Sequence, residues 1–235
     1  MDRFDQRNDS LVQRSNASIQ TFMSQVYGWM TVGLLLTAFV AWYTLDLLMS
    51  GKIFLTQGVV IGLVVVQFGL VLGLSFLLPK MSAMVATGMF MLYSMLTGVT
   101  LSVILAMYTQ ESVVGTFIIT AVMFGALSFY GYTTKRSLTG MGNFLFMALI
   151  GIIVASLVNI WLQSSAMYWV ITYAGVLIFA GLTAYDTQKL KEMGAQIDVD
   201  DKENMRKFVI LGALNLYLDF INLFLMLLRI FGDRR

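Results

Sequence analysis

Long intervals without charge set the terms on which this chain can fold. Between Arg14 and Asp46 lie 31 residues with no charged side chain, between Lys52 and Lys80 another 27, and between Lys80 and Glu111 another 30. Glu111 to Lys135 leaves 23, Arg136 to Asp186 leaves 49, and Lys207 to Arg229 leaves 21 interrupted only by Asp219. A membrane-spanning helix takes about 20 mostly apolar residues. The first four intervals therefore hold one span each. The fifth holds two, with Gln163-Ser164-Ser165 as the hairpin between them, and the last holds one. The predicted spans are 27–45, 59–78, 84–108, 113–132, 144–162, 167–185 and 208–230. Their apolar runs are continuous rather than alternating, which favours helices over a β-barrel. The expected fold class is an all-α integral membrane protein with seven transmembrane helices.

Composition closes off the alternatives. Only 12% of the residues are charged, half of the roughly 25% in ordinary soluble domains. That is too few to cover a globular surface, so a soluble enzyme is excluded. The chain has no cysteine, which removes disulfides, thiolate nucleophiles and Cys metal sites. It has no histidine either, which removes imidazole bases and His-ligated zinc. A net charge of +2 gives no footprint for a nucleic-acid partner. Whatever chemistry the chain performs must run on carboxylates, amides, hydroxyls and backbone.

Residues 1–25 carry Ser, Asn, Gln and balanced charge and are expected to form a polar cytoplasmic tail. Residues 26–235 then make a single seven-helix domain. The first apolar run is long enough to span and has no small-residue cleavage pattern after it, so a secretory signal peptide is not expected. Alternate loops separate eleven Lys and Arg on one side from four on the other. The positive side holds the tail, Lys80, Lys135, Arg136 and the cluster 189–207, so the N-terminus is read as cytoplasmic. Seven crossings then leave Arg229, Arg234 and Arg235 outside. A re-entrant seventh segment bending at Asp219 would return them to the cytoplasm, but seven full spans is the favoured reading.

Packing signals are fewer. The second segment carries Gly58, Gly62, Gly69 and Gly73, two pairs at GxxxG spacing, which is expected to let helix backbones approach closely. Pro79, the only proline, sits beside Lys80, where it ends a helix rather than kinking one. Proline-broken spans of the transporter type are absent from the pattern. A short echo links 127–131 (Leu-Ser-Phe-Tyr-Gly) with 182–186 (Leu-Thr-Ala-Tyr-Asp). It puts Gly131 where the later copy has Asp186.

Two carboxylates stand out. Asp219 lies deep inside the last predicted span, where a charge costs about 2.5–3.5 kcal/mol on insertion scales. Asn215 and Asn222 are its i−4 and i+3 neighbours, forming a polar stripe suited to lining a cavity. A buried hydrogen-bond network that fixes helix packing explains the stripe equally well. Asp186 closes the sixth span beside Tyr185, and an interfacial ion pair with Lys189 at i+3 accounts for it without any function. If the two aspartates face each other, they cannot both ionise cheaply in a poorly solvated site and must exchange protons as a pair. Such a pair senses pH without histidine, and its hard oxygen ligands suit transient Ca²⁺. Depth counting from Lys189 and Lys207 nevertheless separates them by roughly 13 Å at 1.5 Å per residue.

The stretches 181–188 (Gly-Leu-Thr-Ala-Tyr-Asp-Thr-Gln) and 216–224 (Leu-Tyr-Leu-Asp-Phe-Ile-Asn-Leu-Phe) resemble the closing signatures of the transmembrane Bax inhibitor motif family. The stretch 91–98 (Met-Leu-Tyr-Ser-Met-Leu-Thr-Gly) resembles its third-helix pattern, and from Tyr27 onward the chain is similar to the bacterial inner-membrane branch. The resemblance implies seven helices with the last one central. It implies that Asp186 and Asp219 form a paired sensor gating a pH-sensitive calcium leak, and that they are close in space. Calcium would then be the transported ion, with no tightly bound cofactor. Leak-type relatives can carry an arginine in the second helix that latches onto the pair. This second segment has Gln67 and no internal cation.

Competing readings remain. The acidic run Asp198, Asp200, Asp201 and Glu203 offers a place for cations to gather, although a solvated loop matched by Lys and Arg explains it better. An intramembrane aspartyl protease also uses Tyr-Asp on one helix and Asp on the next. Here Asp219 follows Leu216-Tyr217-Leu218 rather than Gly-x-Gly, and no Pro-Ala-Leu motif is present, so that reading is rejected. The resemblance also implies a non-catalytic alternative: binding and restraining another membrane protein, such as a quality-control protease. A secondary transporter would require saturable, substrate-dependent flux. The expected function is a pH-sensitive cation leak, not an enzyme, with the lipid bilayer as first partner.

Overall fold

The computed structural model describes residues 2–197 and 200–235. They form seven helices: α1 (Asp2–Met49), α2 (Gln57–Leu77), α3 (Ala83–Leu105), α4 (Gln110–Thr133), α5 (Thr139–Leu162), α6 (Ser165–Gln196) and α7 (Lys202–Phe231). Each is long and apolar enough to cross a membrane, and each matches one expected span, although α2 stops one residue short of the expected 59–78 and α3 three residues short of 84–108. Helix α7 runs unbroken through Asp219, so the re-entrant alternative fails. The 163–165 hairpin is where the spacing puts it. Gln163 adopts a left-handed conformation with φ of 48°, and Asn159 closes the turn by accepting from Gln163 N at 2.8 Å through its carbonyl and from Ser164 N at 3.0 Å through its side chain. Pro79 opens a short 3-10 turn, Leu78–Lys80, that ends α2.

Three helices outrun their predicted spans. Helix α1 starts at Asp2 rather than at the membrane boundary, and its residues Phe22, Met23 and Val26 are buried. The stretch expected as a polar lead-in is thus helical, and its last turns pack. Helices α6 and α7 extend eleven residues past Tyr185 and six before Phe208. Asp198 of the acidic run lies outside the described residues.

The chain divides into two compact units, one of residues 1–106 with 190–214 and the other of residues 107–189 with 215–235. In the first, α1 and α3 approach closely at Gly98. A Cβ there would stand 2.7 Å from the Thr37 carbonyl oxygen and 2.8 Å from Val40 Cβ. The Thr37 hydroxyl donates to the Ser94 carbonyl at 2.9 Å. Helix α2 joins α3 through Gln67, whose amide donates to Thr100 Oγ1 at 3.2 Å and Thr97 Oγ1 at 3.5 Å. The glycine stripe of α2 does not do what its spacing predicts. Gly58, Gly62 and Gly69 have open space where a Cβ would go, and only Gly73 meets a neighbour, Met89. Spacing alone marks a helix that can pack closely; close packing also needs a partner with matching shape.

The acidic loop serves the backbone. Glu203 Oε1 accepts from Ala83 N at 2.6 Å, at the start of α3. Asp201 caps α7, accepting from Asn204 N at 3.1 Å and Asn204 Nδ2 at 2.7 Å. Those bonds hold its exposed carboxyl below the ordinary aspartate range.

In the second unit, Leu145, Ile178, Phe179, Leu182, Leu223 and Leu227 form a core among α5, α6 and α7. Phe117 and Phe124 of α4 pack edge-on against Phe220 of α7 at 5.3 and 5.5 Å between ring centres. The buried share of the most apolar stretch is 67% in α7, 11% in α2 and 6% in α5. That contrast gives α7 the burial of a central helix and leaves α2 and α5 with lipid-facing surfaces.

The C-terminal arginines are held by aromatic rings. Arg229 lies over the Tyr168 ring at 5.2 Å. Arg234 donates to the Tyr168 hydroxyl at 3.1 Å and lies 6.0 Å from the Tyr108 ring. A hydrogen bond to Tyr108 raises the pKa of its guanidinium further. Backbone bonds from Thr109 N to Asp233 O (2.9 Å) and Arg235 N to Met107 O (3.0 Å) strap the terminus beside the start of α4. Cation–π and hydrogen-bonded contacts of this kind give these arginines partners on their own side of the membrane.

Candidate functional site

Helices α6 and α7 run antiparallel. Within the second unit, Gly175 packs against Met226 and Asp186 reaches Asp219; within the first, Leu190 packs against Gly212. These pairs share one register. Asp186 and Asp219 carboxyls are within side-chain hydrogen-bonding reach of each other. The depth count fails because Lys189 and Lys207 do not mark the same level. With Leu190 beside Gly212, Lys189 lies some six residues deeper than Lys207, about 9 Å along the helix.

Burial makes the pair asymmetric. Asp219 is 5% exposed, and its Oδ2 has no hydrogen-bond partner among the described residues. Asp186 is half-buried, one step from the exposed Lys189. The ammonium of Lys189 stands 5.9 Å from the Tyr185 ring and interacts electrostatically with Asp186. The ion pair expected from sequence is therefore one part of a larger arrangement. Among the described residues no group of three or more acidic side chains gathers to hold a metal, so the pair offers an ion two carboxyl groups and whatever water accompanies it.

The other expected residues divide. Asn222 donates from Nδ2 to the Leu218 carbonyl of its own helix at 2.8 Å, leaving its amide oxygen for other partners. Asn215 is half-buried one turn away. The Tyr185 ring fills the space where Gly142 of α5 has no side chain.

Three features escaped the sequence reading. Gln188, two residues past Asp186, clamps the α4–α5 loop with both ends of its amide. Its Oε1 accepts from Leu138 N at 2.7 Å and its Nε2 donates to Arg136 O at 2.9 Å. Thr187 donates to Ser128 Oγ at 3.3 Å, and Gly131 lies against the Ala184 carbonyl. The two echoed segments thus pack on each other, and the missing side chain at 131 makes room for the backbone of the copy that carries Asp186. Finally, α4 buries Thr116, Thr120 and Ser128 on the face of Phe124. Hydroxyls at i, i+4 and i+12 were the available signal.

The class these features define is an all-α integral membrane protein with a carboxyl pair held between its last two helices. A family model described as inhibitor of apoptosis-promoting Bax1 matches residues 19–235. The chain belongs to this Bax inhibitor family. It is 63% identical over 241 residues to the inner membrane protein YbhL of Escherichia coli (strain K12), covering 100% of both chains. It is 47% identical to an uncharacterized protein of Borreliella burgdorferi over 91% of this chain and 92% of that one. An uncharacterized protein of Deinococcus radiodurans is 40% identical over 94% of each.

Proposed function

We propose that this chain is a pH-sensitive cation leak of the bacterial inner membrane, with calcium as the ion and Asp186 and Asp219 as its sensor. The observation that carries the reading is the meeting of two carboxyls across α6 and α7, one of them buried and with an oxygen that has no partner among the described residues. A carboxyl so placed in a span is costly unless it serves a path or a partner. Two in contact share protons, so the charge of the site depends on pH. Lys189 and Gln188 border the pair on the side of the α4–α5 loop. The similar Escherichia coli protein carries the inner membrane in its name. The excess of Lys and Arg in alternate loops supports a cytoplasmic N-terminus. Reading the chain as a leak assigns it no catalytic step.

The test is calcium flux from liposomes holding the purified protein, across pH 5 to 8. A leak that varies with pH and changes in both Asp186→Asn and Asp219→Asn is expected. Liposomes no leakier than empty ones, with all proteins folded, would overturn the reading and turn attention to a restrained membrane partner. Orientation has its own check, made clean by the absence of native cysteine. An impermeant thiol reagent outside intact spheroplasts should label Arg235→Cys and spare Lys135→Cys.

A further inference from the structure

Most buried serine and threonine hydroxyls among the described residues bond back to their own helix. Ser94, Thr97, Thr120, Thr172, Thr183 and Thr187 each donate to the carbonyl four residues earlier, at 2.7 to 2.9 Å. That bond satisfies a hydroxyl inside a membrane helix without any outside partner. Thr116 is 1% exposed and does not make it. Its Oγ1 and the Oδ2 of Asp219 are the two buried side-chain oxygens with no hydrogen-bond partner among the described residues.

Both belong to the same helix pair. Phe220, next to Asp219, packs between Phe117 and Phe124 of α4, and Phe224 packs against Phe117. Asp219 therefore stands near the level of Thr120, and Thr116 lies about one turn, roughly 5 Å, further toward the Gln110 end of α4. Thr120 donates to the Thr116 carbonyl and keeps its lone pairs as acceptors. Asn222, with its amide oxygen uncommitted by the Leu218 bond, is the next polar residue of α7 in the same direction. A buried water needs two to four polar partners, and the Thr116 hydroxyl, the Asp219 Oδ2 and the Asn222 amide oxygen are polar atoms on this helix pair with bonding capacity left over.

We propose that Thr116 and Asp219 bound an internal water site between α4 and α7, making Thr116 the next polar group after the carboxyl pair toward the Gln110 end. The site stands on geometry alone; its part in ion passage rests on the leak reading above. In that role the Thr116 hydroxyl is a positioning group, holding water against the carboxyl rather than titrating itself.

Hydroxyl-radical footprinting by X-ray irradiation of the full-length protein in lipid nanodiscs tests the site, because radicals formed from bound water oxidise adjacent rings. Phe220 is 3% exposed and Phe90, in the other unit, 0%. Phe220 is expected to be oxidised several-fold faster than Phe90. Thr116→Val, which removes the hydroxyl at nearly constant shape, should abolish that excess, and Thr116→Ser should restore it. Phe220 as inert as Phe90, or labelling unchanged in Thr116→Val, would overturn the proposal. Calcium flux separates the two claims. Loss of flux in Thr116→Val with recovery in Thr116→Ser supports the path, whereas a wild type that is labelled yet does not leak contradicts the leak reading and leaves the water site standing.

Discussion

The two compact units solve the same problem, packing helices in a solvent that offers no hydrogen bonds, and solve it differently. In the unit of α1, α2 and α3, the bonds of Thr37 to the Ser94 carbonyl and of Gln67 to Thr97 and Thr100 join neutral groups, and the Glu203 carboxylate is spent on the backbone N–H that starts α3. In the unit of α4 and α5, one carboxyl is buried against another, and two buried oxygens have no partner among the described residues. Each such group costs about 1–3 kcal/mol when unsatisfied. Most other buried hydroxyls among the described residues are spent on helix carbonyls, so the second unit carries a polar cost that the first does not.

Close packing is the largest shared feature, and steric substitution should break it in both units. Gly98→Leu and Gly131→Leu each press a side chain into a neighbouring helix backbone. Both should fall at or beyond the upper end of the about 1–3 kcal/mol that overpacking costs, read as thermal stability in detergent. Gly62→Leu, facing open space, should leave stability unchanged. Equal losses at all three positions would show that α2 has a packing partner.

The clamp of Gln188 is specific to the second unit. Gln188→Ala strands the buried Leu138 N–H, and a loss of about 1–3 kcal/mol is expected. Hydrogen exchange should rise at the start of α5 first. The corresponding polar bridge of the first unit should matter less. Gln67→Leu removes a donor from two threonines that already donate to their own helix, so its cost should sit near the ~0.6 kcal/mol average for such bonds in membranes. A larger loss there than at Gln188 would reverse the comparison.

The smallest effect concerns the cap of α7. Bonds from Asn204 hold the Asp201 carboxyl below its ordinary value of 3.8. A group whose folded pKa is depressed stabilises above its unfolded pKa and loses that contribution as pH falls through the folded one. The first turn of α7 should therefore show more protection, relative to intrinsic amide exchange, at pH 7 than below pH 3.8. In Asp201→Ala, the protection of that turn should be low and the same at both pH values.

Much of this was legible in the sequence because solvent imposes it. The seven spans follow from charge spacing, since no charge falls where lipid must be covered, and the hairpin at Gln163 and the stop at Pro79 follow from local chemistry. Helix extensions beyond the lipid were not legible, because Lys189 and Lys207 look like equivalent boundary markers and differ in depth by the register of α6 on α7. The glycine stripe of α2 misled for a related reason: spacing describes one surface, and packing needs two. Asp186 and Asp219 could be singled out individually by their cost, but their contact is a property of helix register. Gln188 and Thr116 carried no sequence signal of comparable strength, since a glutamine at a helix end and a threonine in a span are both ordinary until their partners are known.

The central claim is that the carboxyl pair, acting together, sets the response of the protein to pH. Calcium flux from proteoliposomes should be followed from pH 5 to 8 for wild type, Asp186→Asn, Asp219→Asn and the double variant. The account predicts that each single change displaces the pH dependence and that the double variant, folded and reconstituted, shows none. A double variant that still titrates like wild type would contradict it.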